Sequence, residues 1–260
     1  MEICLNKFNK KNGRYALLDT VRGVALINMI LFHGSWNLVY LYGVEWEWFR
    51  SGRGAHLWQQ MICQTFIGLA GFCFLLSKHK LKNGVLVSSC GALVTLVTAL
   101  VMPSNIVLFG VLTCIGSCIL ITLLLERILR KINPSVGCVL SILLFLYTKK
   151  INSGYLYLGG FFTTILPKEW YDNLFTAYLG FPPASFYSTD YFSLFPWIFL
   201  FWTGLFLYLI LKNSSLWSHT IMKLSLPVVT LLGKHSLFVY MIHQPVLFLL
   251  GEISYFFLKI

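Results

Sequence analysis

Asp19, Arg22, Asn28 and His33 stand inside one apolar run, from about Tyr15 to Trp36, that is long enough to cross a bilayer. An ionisable side chain in such a run costs at least ~2.5–3.5 kcal/mol by insertion scales, so it needs a partner or a wet cavity. Asp19 and Arg22 are three residues apart and share a helical face on which they can pair. Arg22 and His33 are eleven apart, close to three turns and about 16 Å of rise, so they share a face at different depths. A guanidinium suits bidentate bonding to phosphate or carboxylate. An imidazole suits general acid or base work near neutral pH. The plainer alternative is a structural Asp19–Arg22 pair with a histidine bonded to a neighbouring helix.

Two further clusters carry chemistry. Asp190 opens the stretch Asp190-Tyr-Phe-Ser-Leu-Phe-Pro196-Trp197, where it either orients a histidine such as His33 or caps the helix that follows. His243 lies in an apolar run just before Pro245, which frees a nearby backbone carbonyl. It reads either as a second functional histidine or as a packing residue. His79 and His219 fall in loops, and His56 ends an aromatic loop that faces the outer side. The sequence lacks a P-loop, a His-Glu-x-x-His, a Cys-x-x-Cys and a Gly-x-Ser-x-Gly elbow, which argues against a nucleotide-driven pump or a zinc protease and predicts no metal.

The elements that must position these residues are membrane helices. Hydrophobic residues make up 57% of the 260 and charged ones only 11%, which predicts an all-α polytopic integral membrane helix bundle. The net charge of +11 sits mostly in short loops, where it sets orientation rather than binding nucleic acid. Spans are expected near 15–36, 57–77, 84–102, 105–125, 135–148, 190–211 and 237–257, about seven within a range of six to nine. Residues 1–13 read as a cytoplasmic basic tail with no cleavable leader, and 14–260 as a single transmembrane domain. Residues 149–189, broken by glycines and prolines, read as an outer segment that is partly re-entrant or lies on the membrane. Ser236 is expected to cap the last span. Lys78 and Lys80 belong to a basic inside loop.

These residues also form a pattern. Leu18-Asp19-Thr-Val-Arg22-Gly23 followed by Met29-Ile-Leu-Phe-His33 resembles the opening helix of membrane acyltransferases with an Arg-x10-His motif, a superfamily that includes the acyltransferase type 3 proteins. Within it the chain is most similar to bacterial members of the heparan-α-glucosaminide N-acetyltransferase catalytic-domain family. The likeness recurs at Met102-Pro103, at Phe109-Gly110-Val-Leu-Thr-Cys-Ile-Gly116, at Asp190 to Trp197, and at Gly233-Lys-His-Ser236-Leu with His243-Gln-Pro245. One departure is Thr113, where family members often carry a histidine. For the histidine that the animal lysosomal enzyme uses in the loop after its first helix, no position here is assigned, and His56 is the candidate.

The resemblance implies acetyl transfer from cytoplasmic acetyl-CoA to an amine or hydroxyl of an extracytoplasmic sugar or glycan, in a bacterial plasma membrane. Arg22 with Asp19, Lys78 and Lys80 are then expected to handle the donor, and His33, Asp190 and His243 the chemistry. His33 serves as general base or accepts the acetyl group transiently. The expected partners are acyl-CoA, a sugar acceptor, the bilayer and, within this class, a second copy in a homodimer. The competing reading is a small transporter with Arg22 and His33 along a solute or proton path. Inverted repeats, which would favour it, are not found.

Overall fold

The computed structural model describes residues 15–159, 162–212, 214 and 222–258. The basic tail expected at 1–13 lies outside these residues. Seven helical stretches among the described residues are long and apolar enough to cross a membrane: 16–40, 53–76, 80–101, 111–129, 134–153, 194–211 and 236–254. The fold is therefore an all-α polytopic membrane fold, as the hydropathy predicts.

The chain forms two compact units, one from the segments up to Ile62 and from Ser214 onward, the other from Cys63–Asn213. In the first, α1 (Ala16–Tyr40) is followed by a short α2 (Glu47–Arg50) and the first half of α3 (Arg53–Cys73). It is completed by α9 (Pro227–Lys234) and α10 (Ser236–Leu258). Proline at the start of α9 gives up an N–H that has no intrahelical partner in any helix, which suits it to that position. Val239 N–H bonds to His235 O, so α10 begins at Ser236 itself. Ser236 is its first residue rather than the expected side-chain cap.

Small residues bring α1 and α9 together. A Cβ on Gly23 would sit 2.0 Å from Val229 O, and one on Gly233 would sit 1.7 Å from Asp19 O. The partners run in opposite directions, so α9 is antiparallel to α1. Without a hydrophobic drive between helices in lipid, such backbone approach supplies the packing. Between the two glycines the hydroxyls of Thr20 and Thr230 bond at 2.7 Å. Further along, Phe49 is 2% exposed among the rings of Phe32, Tyr40, Trp46 and Trp48, and Trp58 Nε1 donates to Asn28 Oδ1 at 3.1 Å.

In the second unit, α4 (Lys80–Val101) and α5 (Val111–Leu129) form an antiparallel pair along another small-residue seam. Gly84 faces Leu120, Gly116 faces Ser88, and Gly91 faces Thr113. Lys80 Nζ closes the open end on both oxygens of Glu126 at 2.7 Å, while Arg130 Nε donates to the same carboxylate at 2.8 Å. α6 (Pro134–Thr148) packs on α8 (Leu194–Leu211) through Gly137 against Phe206 and Phe145 against Trp197. A 3₁₀ turn at Ile151–Ser153 lengthens the short fifth span.

The outer segment holds an antiparallel hairpin of β1 (Tyr155–Leu158) and β2 (Phe162–Ile165). Lys150 lies over Tyr155 and Tyr157. The segment continues into α7 (Leu174–Leu179), which opens with an Asn173–Thr176 capping box. No helix of spanning length occurs among its described residues.

A candidate active site built on paired histidines

His33 lies on α1, and α10 brings His243 against it. The two rings are 4.9 Å apart, tilted by 54°. α10 runs parallel to α1, since nine residues beyond the His33–His243 contact Tyr42 meets Gly251 and Glu252. Two helices that start on the same side of the membrane therefore supply one histidine each. His243 is 8% exposed. Its Nδ1 bonds to the carbonyl of Tyr240, and because a carbonyl only accepts, Nδ1 carries the proton. The neutral ring then leaves Nε2 as a bare acceptor, and Nε2 is buried with no hydrogen-bond partner. In that tautomer Nε2 is the atom of His243 that can accept a proton or a hydrogen bond.

Eleven residues below His33 on the same helix, Arg22 Nη1 bonds to Asp19 Oδ1 at 2.7 Å. Asp19 is 3% exposed, and Gly233 packs directly on its backbone. The pair expected from the sequence is thus formed, with the aspartate buried and 21% of the Arg22 side chain exposed.

The remaining candidates belong to the second unit or stand alone. Asp190 does not cap the helix after it. The residue before Pro196 is held extended (Phe195 φ −92°, ψ 134°), as a residue ahead of proline prefers, and α8 starts only at Leu194 with Ser193 in the N-cap position. Asp190 instead lies over Gly110 and accepts the backbone N–H of Val111, the first residue of α5. Bonds from Thr189 N–H to Ile106 O and from Phe192 N–H to Phe109 O hold it there. Burial pushes its carboxyl up to about 6, against the pull of the Val111 N–H. Lys80 is engaged by Glu126, whereas Lys78 is exposed. His56 is exposed in the first turn of α3. Thr113 fills the contact with Gly91, a place with little room for an imidazole.

Sequence reasoning did not single out Asn37 or Gln244 as site residues. Gln244 Nε2 donates to Asn37 Oδ1 at 3.1 Å next to the histidine pair. The signal lay in spacing: Asn37 follows His33 by one helical turn, and Gln244 adjoins His243.

No curated protein and no solved structure matches the chain. The family model described as heparan-alpha-glucosaminide N-acetyltransferase, catalytic, matches residues 14–245. That span takes in Asp19, Arg22 and His33 on α1, the Asp190 segment, and α10 as far as Pro245. The chain therefore belongs to the heparan-alpha-glucosaminide N-acetyltransferase catalytic-domain family of membrane acetyltransferases.

Proposed function

We propose that the chain moves an acetyl group from cytoplasmic acetyl-CoA to an amine or hydroxyl of an extracytoplasmic sugar, with its N-terminus on the cytoplasmic side. The observation that carries the reading is the His33–His243 pair between two parallel span-length helices. The donor supplies an activated acetyl thioester. The cationic groups that suit its phosphates are Arg22, partly exposed beside Asp19, and the lysines of the inside loop. Of these Lys78 is the more accessible, because Lys80 already serves Glu126.

In this scheme the acceptor nitrogen or oxygen attacks the thioester carbonyl carbon, the carbon–sulfur bond breaks, and the thiolate leaves. The acceptor proton passes to an imidazole, for which His33 and the bare Nε2 of His243 are the two acceptors at hand. Returning that proton to the departing thiolate restores the neutral pair and balances the reaction. Asp190 enters through its own chemistry, since a carboxyl titrating near 6 holds and releases a proton close to neutral pH.

The test is acetyl transfer from acetyl-CoA to glucosamine across proteoliposomes. His33→Ala and His243→Ala are each expected to lower the rate by roughly 10²–10⁴-fold, the usual contribution of a positioned acid–base group. Wild-type rates in both variants would remove the histidine pair from the chemistry.

A further inference from the structure

Asn37 is 3% exposed, and its Oδ1 accepts from Gln244 Nε2. Its own Nδ2 and the Gln244 Oε1 are buried with no hydrogen-bond partner. Two primary amides that needed only each other could form two mutual bonds, yet these form one. What remains is one N–H donor and one carbonyl acceptor. Turning both amides over exchanges the roles and leaves the same remainder. Buried polar groups in folded proteins are nearly always satisfied, so a donor and an acceptor left over together point to something that binds between them.

The chemistry of the remainder selects the ligand. An ammonium only donates, while a carboxylate, a phosphate or a thioester oxygen only accepts. A hydroxyl accepts from an amide N–H and donates to an amide oxygen at once, and neighbouring hydroxyls of a sugar can share the task. A secondary amide also does both, which makes the pantetheine arm of the donor the competing occupant. Position decides between them. Asn37 lies fifteen residues beyond Arg22 on unbroken α1, about 22 Å along the helix and on the far side of His33 from the guanidinium.

We infer that Asn37 and Gln244 form a donor–acceptor clamp that holds a hydroxyl of the acceptor beside the His33–His243 pair and thereby sets acceptor specificity. The inference rests on reading the histidine pair as the transfer site. A site built to bond a hydroxyl rejects the analogue that lacks it, because its own polar groups are then left unpaired.

The full chain in lipid nanodiscs is titrated with glucosamine and with its 3-deoxy, 4-deoxy and 6-deoxy analogues, and separately with acetyl-CoA. The proteins compared are wild type, Asn37→Leu, Gln244→Met and His33→Ala. At least one deoxy analogue is expected to bind wild type ten-fold or more weakly than glucosamine. That gap closes in Asn37→Leu and Gln244→Met, persists in His33→Ala, and acetyl-CoA affinity holds in all four, which also reports on folding. No gap in wild type, or a gap untouched by both clamp variants, overturns the clamp and leaves the amides to water. Acetyl-CoA affinity that falls ten-fold in the clamp variants while the glucosamine gap stays overturns it in favour of the pantetheine arm. Failure of the transfer reading is distinct: it appears as wild-type acetyl transfer by His33→Ala, whatever the binding gap does.

Discussion

Replacing Gly233 by alanine tests whether the close approach of α9 to α1 organises the first unit. The added Cβ would lie 1.7 Å from Asp19 O and 2.9 Å from Gly23 N, whereas a comfortable non-bonded contact needs roughly 3.5 Å. Both obstacles are backbone, so no side chain can swing away, and α9 must move off α1 by nearly 2 Å. A shift of that size opens the Thr20–Thr230 hydroxyl contact from 2.7 Å beyond hydrogen-bonding range. The lost bond costs about 0.5–1.5 kcal/mol and the overpacking about 1–3 kcal/mol, so a destabilisation of about 2–4 kcal/mol is expected. The shift also takes α9 off the backbone of Asp19, the partner of Arg22, and a 1 Å misplacement near a reacting group can cost ~10²-fold in rate. The assay is thermal melting of the protein in nanodiscs, paired with kcat/KM for acetyl-CoA. Gly34→Ala is the control, because its Cβ would meet nothing closer than Leu247 at 3.7 Å. Alanine in mid-helix there should stabilise by about 0.5–1 kcal/mol. A Gly233→Ala protein that melts with wild type, or a Gly34→Ala protein that loses as much as Gly233→Ala, would refute the reasoning.

Asp190 gives a pH signature. Its carboxyl titrates near 6 in the folded chain against 3.8 ordinarily, so between those values the folded state holds the extra proton and stability falls as pH rises. Asp190→Asn should remove that slope and melt higher than wild type above pH 6; identical pH profiles for the two proteins would exclude a buried carboxyl there. At the other end of the α4–α5 pair, Glu126→Gln leaves the Lys80 ammonium, only 16% exposed, without its counter-charge. A loss of about 1–3 kcal/mol is expected, with most of it restored in the Lys80→Met, Glu126→Gln double variant, and additive single losses in that cycle would show the pair to be uncoupled.

The spans and the polar face of α1 were legible because both depend on local chemistry. Apolar runs fix the helices, and a three-residue spacing is enough to place Asp19 beside Arg22. The histidine pair was half legible: each histidine stood out, but their meeting depends on α10 running parallel to α1, which no local pattern encodes. Asn37 and Gln244 were passed over because an amide in an aromatic-rich helix end looks like an interfacial residue until its partner is known. Asp190 reads from sequence either as orienting a histidine or as capping the helix after it, and it does not cap that helix, since the sequence cannot show the 188–192 segment bonding along 105–109 to reach the start of α5. The β1–β2 hairpin lies in the glycine- and proline-broken outer segment, for which the sequence reading names no strand, although Gly159-Gly160 between two β-forming stretches is a hairpin signal.

The Asp19–Arg22 pair has a bearing on how the protein is made. α1 leaves the ribosome roughly 190 residues ahead of α9, so for most of synthesis it has none of the helices that later cover its polar face. Two separate charges would each resist partition into lipid by ~2.5–3.5 kcal/mol, but these two lie three residues apart on one helix and neutralise one another within it. α1 thus enters the bilayer as a self-balanced segment and does not have to wait for a distant counter-charge. His33 and Asn37, which carry no such internal partner, gain theirs only when α10 arrives with His243 and Gln244. The charged pair is therefore complete within α1 itself, whereas the His33–His243 and Asn37–Gln244 contacts form only once α10 has been made.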